Sequence, residues 1–176
     1  MLLRKINAVL SLLCTFLLMD HAIFHAIWMM AKGNIEKSTD NLPWILFGLM
    51  LMHAFISVYL GVAAHADTEK RKCKSYPKMN VATIIQRASG VVLILLAVQH
   101  VLGVSGAWPV PPIVHMILPP LFFTVALMHA AISGVKALIT LGIGNAKFIK
   151  TADIVVKVLC VITIIADIVG FYIYIG

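Results

Sequence analysis

The sequence predicts an all-α integral membrane protein, a bundle of five transmembrane helices with its N-terminus in the cytoplasm and its C-terminus outside. Its 176 residues are 61% hydrophobic and only 12% charged, with a mean hydropathy of +1.01. That is too little polar surface to cover a water-soluble domain of this size. The apolar residues fall into five runs, each longer than the roughly 20 residues that cross about 30 Å of hydrocarbon. The basic residues are sorted by side. Arg4, Lys5, Lys70, Arg71, Lys72, Lys74, Lys78, Arg87, Lys136, Lys147, Lys150 and Lys157 fall on one side, and only Lys32 and Lys37 on the other. This asymmetry marks the cytoplasmic face. The formal charge of +7 and pI near 9.5 are therefore a topology signal, and nucleic-acid binding is not expected.

Span I runs from about residue 6 to 30. Arg4 and Lys5 precede it, but its apolar stretch is longer than a signal-peptide core and lacks a small-residue cleavage pattern, so it is expected to remain as a span. Span II, about 42–66, follows a short polar loop and opens with Asp40-Asn41 and Pro43, a helix-start signal. A charged loop from Asp67 to Asn80 leads to span III, about 81–106. Trp108-Pro109-Val110-Pro111-Pro112 then breaks the backbone ladder. Span IV, about 113–140, carries Pro119 and Pro120 in its first turns, where a bend is expected. Gly142 to Ala146 forms the next turn, and span V covers about 152–174. The loops are too short for a second folded unit, so residues 1–176 read as one membrane domain. Catalysis on a soluble substrate would have to reside in a partner subunit. Cys14, Cys73 and Cys160 are odd in number and lack metal-ligand spacing.

Four of the spans carry a histidine deep in apolar sequence, where an unpaired polar ring is costly. At 1.5 Å per residue, His21 lies about 25 Å from Arg4 and His100 about 28 Å from Val81. On the descending spans, His53 lies about 18 Å from His65 and His129 about 17 Å from Thr140. The four therefore form two layers, His21 with His100 toward the outside and His53 with His129 toward the cytoplasm. Haem iron takes two axial ligands, and two neutral imidazoles give a low-spin iron suited to moving electrons. Histidine pairs on different helices at equal depth are what a porphyrin standing between helices needs. The expected metal ligands are thus His21, His100, His53 and His129, and the chain reads as a membrane electron carrier.

Other polar residues are candidates for supporting roles. His25, one turn beyond His21, is a competing ligand or polar neighbour of the outer layer. His65 and His115, near the two interfaces, stay out of the ligand set. Lys136, seven residues beyond His129, and Arg87 on span III are candidate partners for haem propionates. Ser89, Gly90, Ser133 and Gly134 are small residues that allow close helix approach or leave room for a flat cofactor. Asp20 and Asp167 are carboxylates inside spans, which are costly and often functional. Asp20 is a candidate proton acceptor beside His21, and Asp167 lies near the outer interface.

These residues resemble the single-subunit, five-helix, di-haem cytochrome b anchors of succinate dehydrogenases and fumarate reductases, over nearly the whole chain. The matching features are Asp20-His21 with His25, His53-Ala54 with Val58-Tyr59, Gln86-Arg87 with Ser89-Gly90 and His100, and His129 followed by Gly134. The resemblance implies two haem b groups, His21/His100 distal and His53/His129 proximal, in agreement with the depth count. It implies a quinone substrate, menaquinone being the expected one; no motif of the family fixes its site here, and Asp20, His25, Trp28 and Trp108 are candidates from their own chemistry. It also implies an FAD-containing flavoprotein subunit and an iron–sulfur subunit on the cytoplasmic face, met by the loop Lys70 to Lys78, in a bacterial cytoplasmic membrane. The direction of the reaction and dimerisation of the complex stay open. Some members carry a glutamate two residues before the span IV ligand; here that position is Leu127, so their proton pathway is not expected.

The nearest alternative is the cytochrome b subunit of a membrane hydrogenase or formate dehydrogenase, against which the fifth span and the one-ligand-per-helix pattern argue. A haem-free structural anchor would have lost ligands that are all present. A small transporter would need broken midplane helices.

Overall fold

The computed structural model describes residues 1–34, 41–70, 81–108 and 111–176, and for residues 64–70, 82, 112, 113, 115 and 116 the backbone alone. Five helices follow in order: α1 (Leu2–Met30), α2 (Leu42–Lys70), α3 (Val81–Val104), α4 (Pro112–Leu141) and α5 (Ala146–Ile175). All five contain stretches long and apolar enough to cross a membrane. The protein is an all-α five-helix bundle consistent with a multi-span membrane protein. Beyond Lys70, the basic loop expected to meet partners lies outside the described residues, as do Cys73 and the side chains of His65 and His115.

The helix ends have local causes. Proline at the first helical position starts α4, where its missing N–H costs nothing. Gly142 closes α4 in the left-handed conformation (φ 73°), with Gly142 N–H donating to the Ile139 carbonyl and Ile143 N–H to the Leu138 carbonyl. This is the Schellman pattern, and it satisfies two carbonyls left over at the helix end. Asn145 then caps α5, its side chain accepting from Phe148 N–H at 2.9 Å. The helix therefore begins six residues before the apolar run. The apolar run alone predicts a start near Ala152; Lys147 and Lys150 lie in the polar first turns of the helix instead. α4 remains helical through Pro119 and Pro120. Pro120 lines a shallow apolar groove with Ile117, Leu121, Thr124 and Phe171 of α5.

Three helices, α1, α4 and α5, pack against one another, while α2 lies on α1 and α3 on α4. α2 and α3 touch only lightly, and among the described residues neither α1 with α3 nor α2 with α4 makes a packed contact. The first four helices thus form a ring in which α1 faces α3 and α2 faces α4 across the middle. The core joins Leu18 and Ala22 of α1, Phe122, Phe123, Ala126 and Ala130 of α4, and Cys160 of α5. Between helices in lipid, van der Waals packing replaces the hydrophobic drive, so small residues sit at the crossings. Gly170 is the tightest of these, since a Cβ there would lie 2.8 Å from the Ala26 carbonyl oxygen. Outside the core, large apolar side chains such as Phe16, Phe55, Leu95 and Ile162 are exposed. Such a surface suits hydrocarbon and would be a liability in water.

Candidate functional site

The side-chain contacts separate the histidines into two groups along the bundle. The inner group is centred on His129 of α4. Its Nδ1 lies 2.9 Å from Ser89 Oγ on α3, and the same hydroxyl donates to the Gln86 carbonyl at 3.1 Å. A hydroxyl has one proton. With that proton on Gln86, His129 must donate Nδ1–H to Ser89, which leaves the lone pair on Nε2. This is the tautomer a metal-ligating histidine adopts when a neighbour holds its other nitrogen. Gly90 completes the seat, because a Cβ there would lie 3.3 Å from His129 Cε1. The next turn of α4 is fixed by Ser133 Oγ, which donates to the His129 carbonyl at 2.6 Å.

His53 on α2 is within electrostatic range of His129, although their helices do not pack. Its Nδ1 is buried and has no hydrogen-bond partner among the described residues. An orphaned buried donor or acceptor is rare in native interiors and calls for a ligand or water. One turn on, Ser57 pairs with Asn7 of α1, with Asn7 Nδ2 donating to Ser57 Oγ at 3.1 Å.

The outer group surrounds Phe123, which is 0% exposed. Its ring lies 5.5 Å from His21, 4.9 Å from His25 and 6.1 Å from His100, centroid to centroid. His100 also stacks on Phe122 at 5.1 Å, with the planes 7° apart. His25 Nδ1 is 2.9 Å from Asp167 Oδ1 on α5. The sequence left His25 as a neighbour or competing ligand; its packing gives it Asp167 as partner.

The remaining candidates divide. Lys136 Nζ donates to Gln86 Oε1, which fixes the register of α4 against α3 and puts Lys136 level with the start of α3. Arg87 is exposed. Gly134 faces Val156 of α5, at 3.7 Å from where a Cβ would lie, so it serves helix approach rather than the histidine layer. Asp20 is exposed on the same face of α1 as Phe16, Ile23, Phe24 and Ile27. The carboxylate that enters the outer group is Asp167, not Asp20. The α1–α5 contact joins residues 142 positions apart, so no local pattern could have announced it. The signal present in the sequence was the charge of Asp167 within an apolar run.

Among the described residues, no three His, Cys, Asp or Glu side chains converge on a point that could hold a bare metal ion. The four histidines instead lie on two pairs of opposed helices, an arrangement suited to a cofactor that takes one ligand from each side. No protein-family model matches this chain, and no curated protein or solved structure matches it either.

Proposed function

We propose that this chain is a di-haem b membrane anchor that carries electrons between a membrane quinone and soluble redox subunits of the succinate dehydrogenase and fumarate reductase type. The observation that carries the reading is the inner seat, where Ser89, itself bonded to the Gln86 carbonyl, holds His129 Nδ1, Gly90 makes room for the ring, and His53 on the opposed helix has a nitrogen without a partner among the described residues. On this reading His53 and His129 hold one haem and His21 and His100 the other. Each pair spans two helices that face each other across the ring without packing. When bound, such a bis-histidine haem supplies one-electron transfer between ferric and ferrous iron.

The chain's residues supply the setting. Ser89 fixes the His129 tautomer. Phe122 and Phe123 give the outer pair an apolar surround that keeps water away. Lys136 and Arg87, at the basic end of the bundle, supply cations for propionates. The same basic end, with Arg4, Lys5, Lys147 and Lys150, is read as the cytoplasmic face on which an iron–sulfur subunit and a flavoprotein subunit dock.

A pyridine haemochrome assay on the purified chain tests the reading. Two haem b per chain are expected, with a low-spin, six-coordinate spectrum. A chain that binds one haem or none contradicts it.

A further inference from the structure

A carboxylate stands on the outer face of α1, turned away from both histidine groups. Asp20 is exposed, and at about 100° per residue it lies about 200° around the helix from each of the buried Leu18 and Ala22. It is therefore opposite the face that α1 packs against its neighbours. Along the helix it is about 24 Å from Arg4 and about 15 Å from Met30, well inside the apolar run. Ionisable side chains in a span face the bundle interior or pair with one another, and an aspartate is too short to snorkel to the headgroups as a lysine does. Among the described residues no lysine or arginine is paired with Asp20.

The face around it is patterned. Leu13, Phe16, Asp20, Ile23 and Ile27 follow one another at alternating steps of three and four residues, and all five are exposed. That is the spacing of a left-handed seam between two helices, in which the side chains of each fill gaps on the other. A single polar residue in such a seam sets partner and register at a cost in stability. Acyl chains would cover the apolar positions and leave the carboxylate without a partner. A second copy of this chain does not supply the missing charge either. α1 and α5 run in the same direction, with His25 opposite Asp167 and Trp28 opposite Tyr174, so Asp20 is level with Ile162. Lys157 reaches furthest into a span among the described cations. It falls about 7 Å short of that level and is bonded to Asp153. Two copies meeting on this face would set carboxylate beside carboxylate, which is repulsive.

We propose that this face of α1 is the docking site for a transmembrane helix of another polypeptide, one that carries an arginine or lysine near the middle of its span. The cation meets Asp20, and the apolar residues of the partner fill the spaces between Phe16, Ile23 and Ile27. Arginine suits the site better, because its planar fork engages both carboxylate oxygens. The contact lies on the outside of the bundle and uses none of the four histidines assigned to haem.

The test is association of the full chain with a synthetic leucine–alanine transmembrane peptide of about 20 residues bearing one central arginine, read by fluorescence energy transfer in lipid vesicles. The reference is the same peptide with leucine in place of arginine. The arginine peptide is expected to bind about 10-fold more tightly, the scale of a polar contact between helices in lipid. Asp20→Leu is expected to abolish that preference. Asp20→Asn, which keeps a hydrogen bond without the charge, should cut it several-fold. Both variants should fold, since Asp20 touches no part of the core. Asp153→Asn, in the exposed pair with Lys157, is expected to leave the preference unchanged. A photoreactive benzoylphenylalanine in place of Phe16 should crosslink to the arginine peptide, and one in place of Ile162, exposed on α5, should not. Equal binding of the two peptides to the unaltered chain overturns the proposal, as does a preference that survives Asp20→Leu. Self-association of the chain that Asp20→Leu abolishes, with no preference for the arginine peptide, makes this face a contact between copies and overturns it too.

Discussion

The inner and outer histidine groups solve the same problem, a polar ring inside an apolar span, in different ways. At the inner group the partner is a neutral hydroxyl on the adjacent helix, Ser89 to His129, and His53 Nδ1 has no partner among the described residues. At the outer group the rings pack on the edges and faces of Phe122 and Phe123, and His25 makes a short polar contact with a carboxylate on the fifth helix. A neutral donor or acceptor fixes a tautomer without adding charge, whereas a carboxylate adds the capacity to hold a proton. The inner group is thus held by neutral partners, and the outer group joins its rings to a buried carboxylate. The fifth helix brings Asp167 to the outer group; the inner seat is made from α2, α3 and α4.

Substitutions that strike one group alone sharpen this difference. The largest effect is expected from Phe123→Ala. Removing a fully buried ring in contact with three histidines should lower stability by about 3–5 kcal/mol, read as the midpoint of thermal unfolding in detergent. It should also broaden the spectrum of the outer haem alone. Gly170→Leu comes next, since its side chain would collide with the Ala26 backbone. Overpacking of about 1–3 kcal/mol is expected, with the His25–Asp167 contact disturbed and the inner haem retained. Ser89→Ala should keep the fold but lower inner haem affinity about 10-fold or more, the usual cost of removing the group that orients a ligating histidine; competition with apomyoglobin would measure it. The smallest effect is Asn145→Ala, about 1 kcal/mol for loss of the α5 cap, with both groups unchanged. If Ser89→Ala disturbed the outer haem as much as the inner, the division into two groups would not hold.

Much of the fold was legible because membrane helices are written in composition. Long apolar runs leave a span no alternative to the helix, since every backbone group must be paired internally. Boundaries were less legible where a polar first turn precedes the apolar run, as at Lys147 and Lys150 before the body of α5. Depth counting works because helical rise is constant, so the sorting of the four histidines into two layers could be read from spacing alone. Rotation about the helix axis is another matter. Asp20 and His21 are neighbours in sequence, yet a helical step of about 100° per residue sends Asp20 toward the lipid and His21 toward Phe123. That His25 meets Asp167, and that Gly134 faces α5 rather than His129, depend on how α5 is turned against α1 and α4. In the α5 sequence only the stripe Cys160, Thr163, Asp167 and Gly170 marks the buried face, and it does not say which helix that face meets.

The most direct measurement is haem b per chain in two double variants, His53→Ala/His129→Ala and His21→Ala/His100→Ala, purified alongside the unaltered protein. One haem should remain in each double variant, with the two remaining haems differing in reduction potential. Two haems in either variant, or one variant losing both while the other keeps both, would contradict the assignment of one cofactor to each histidine pair.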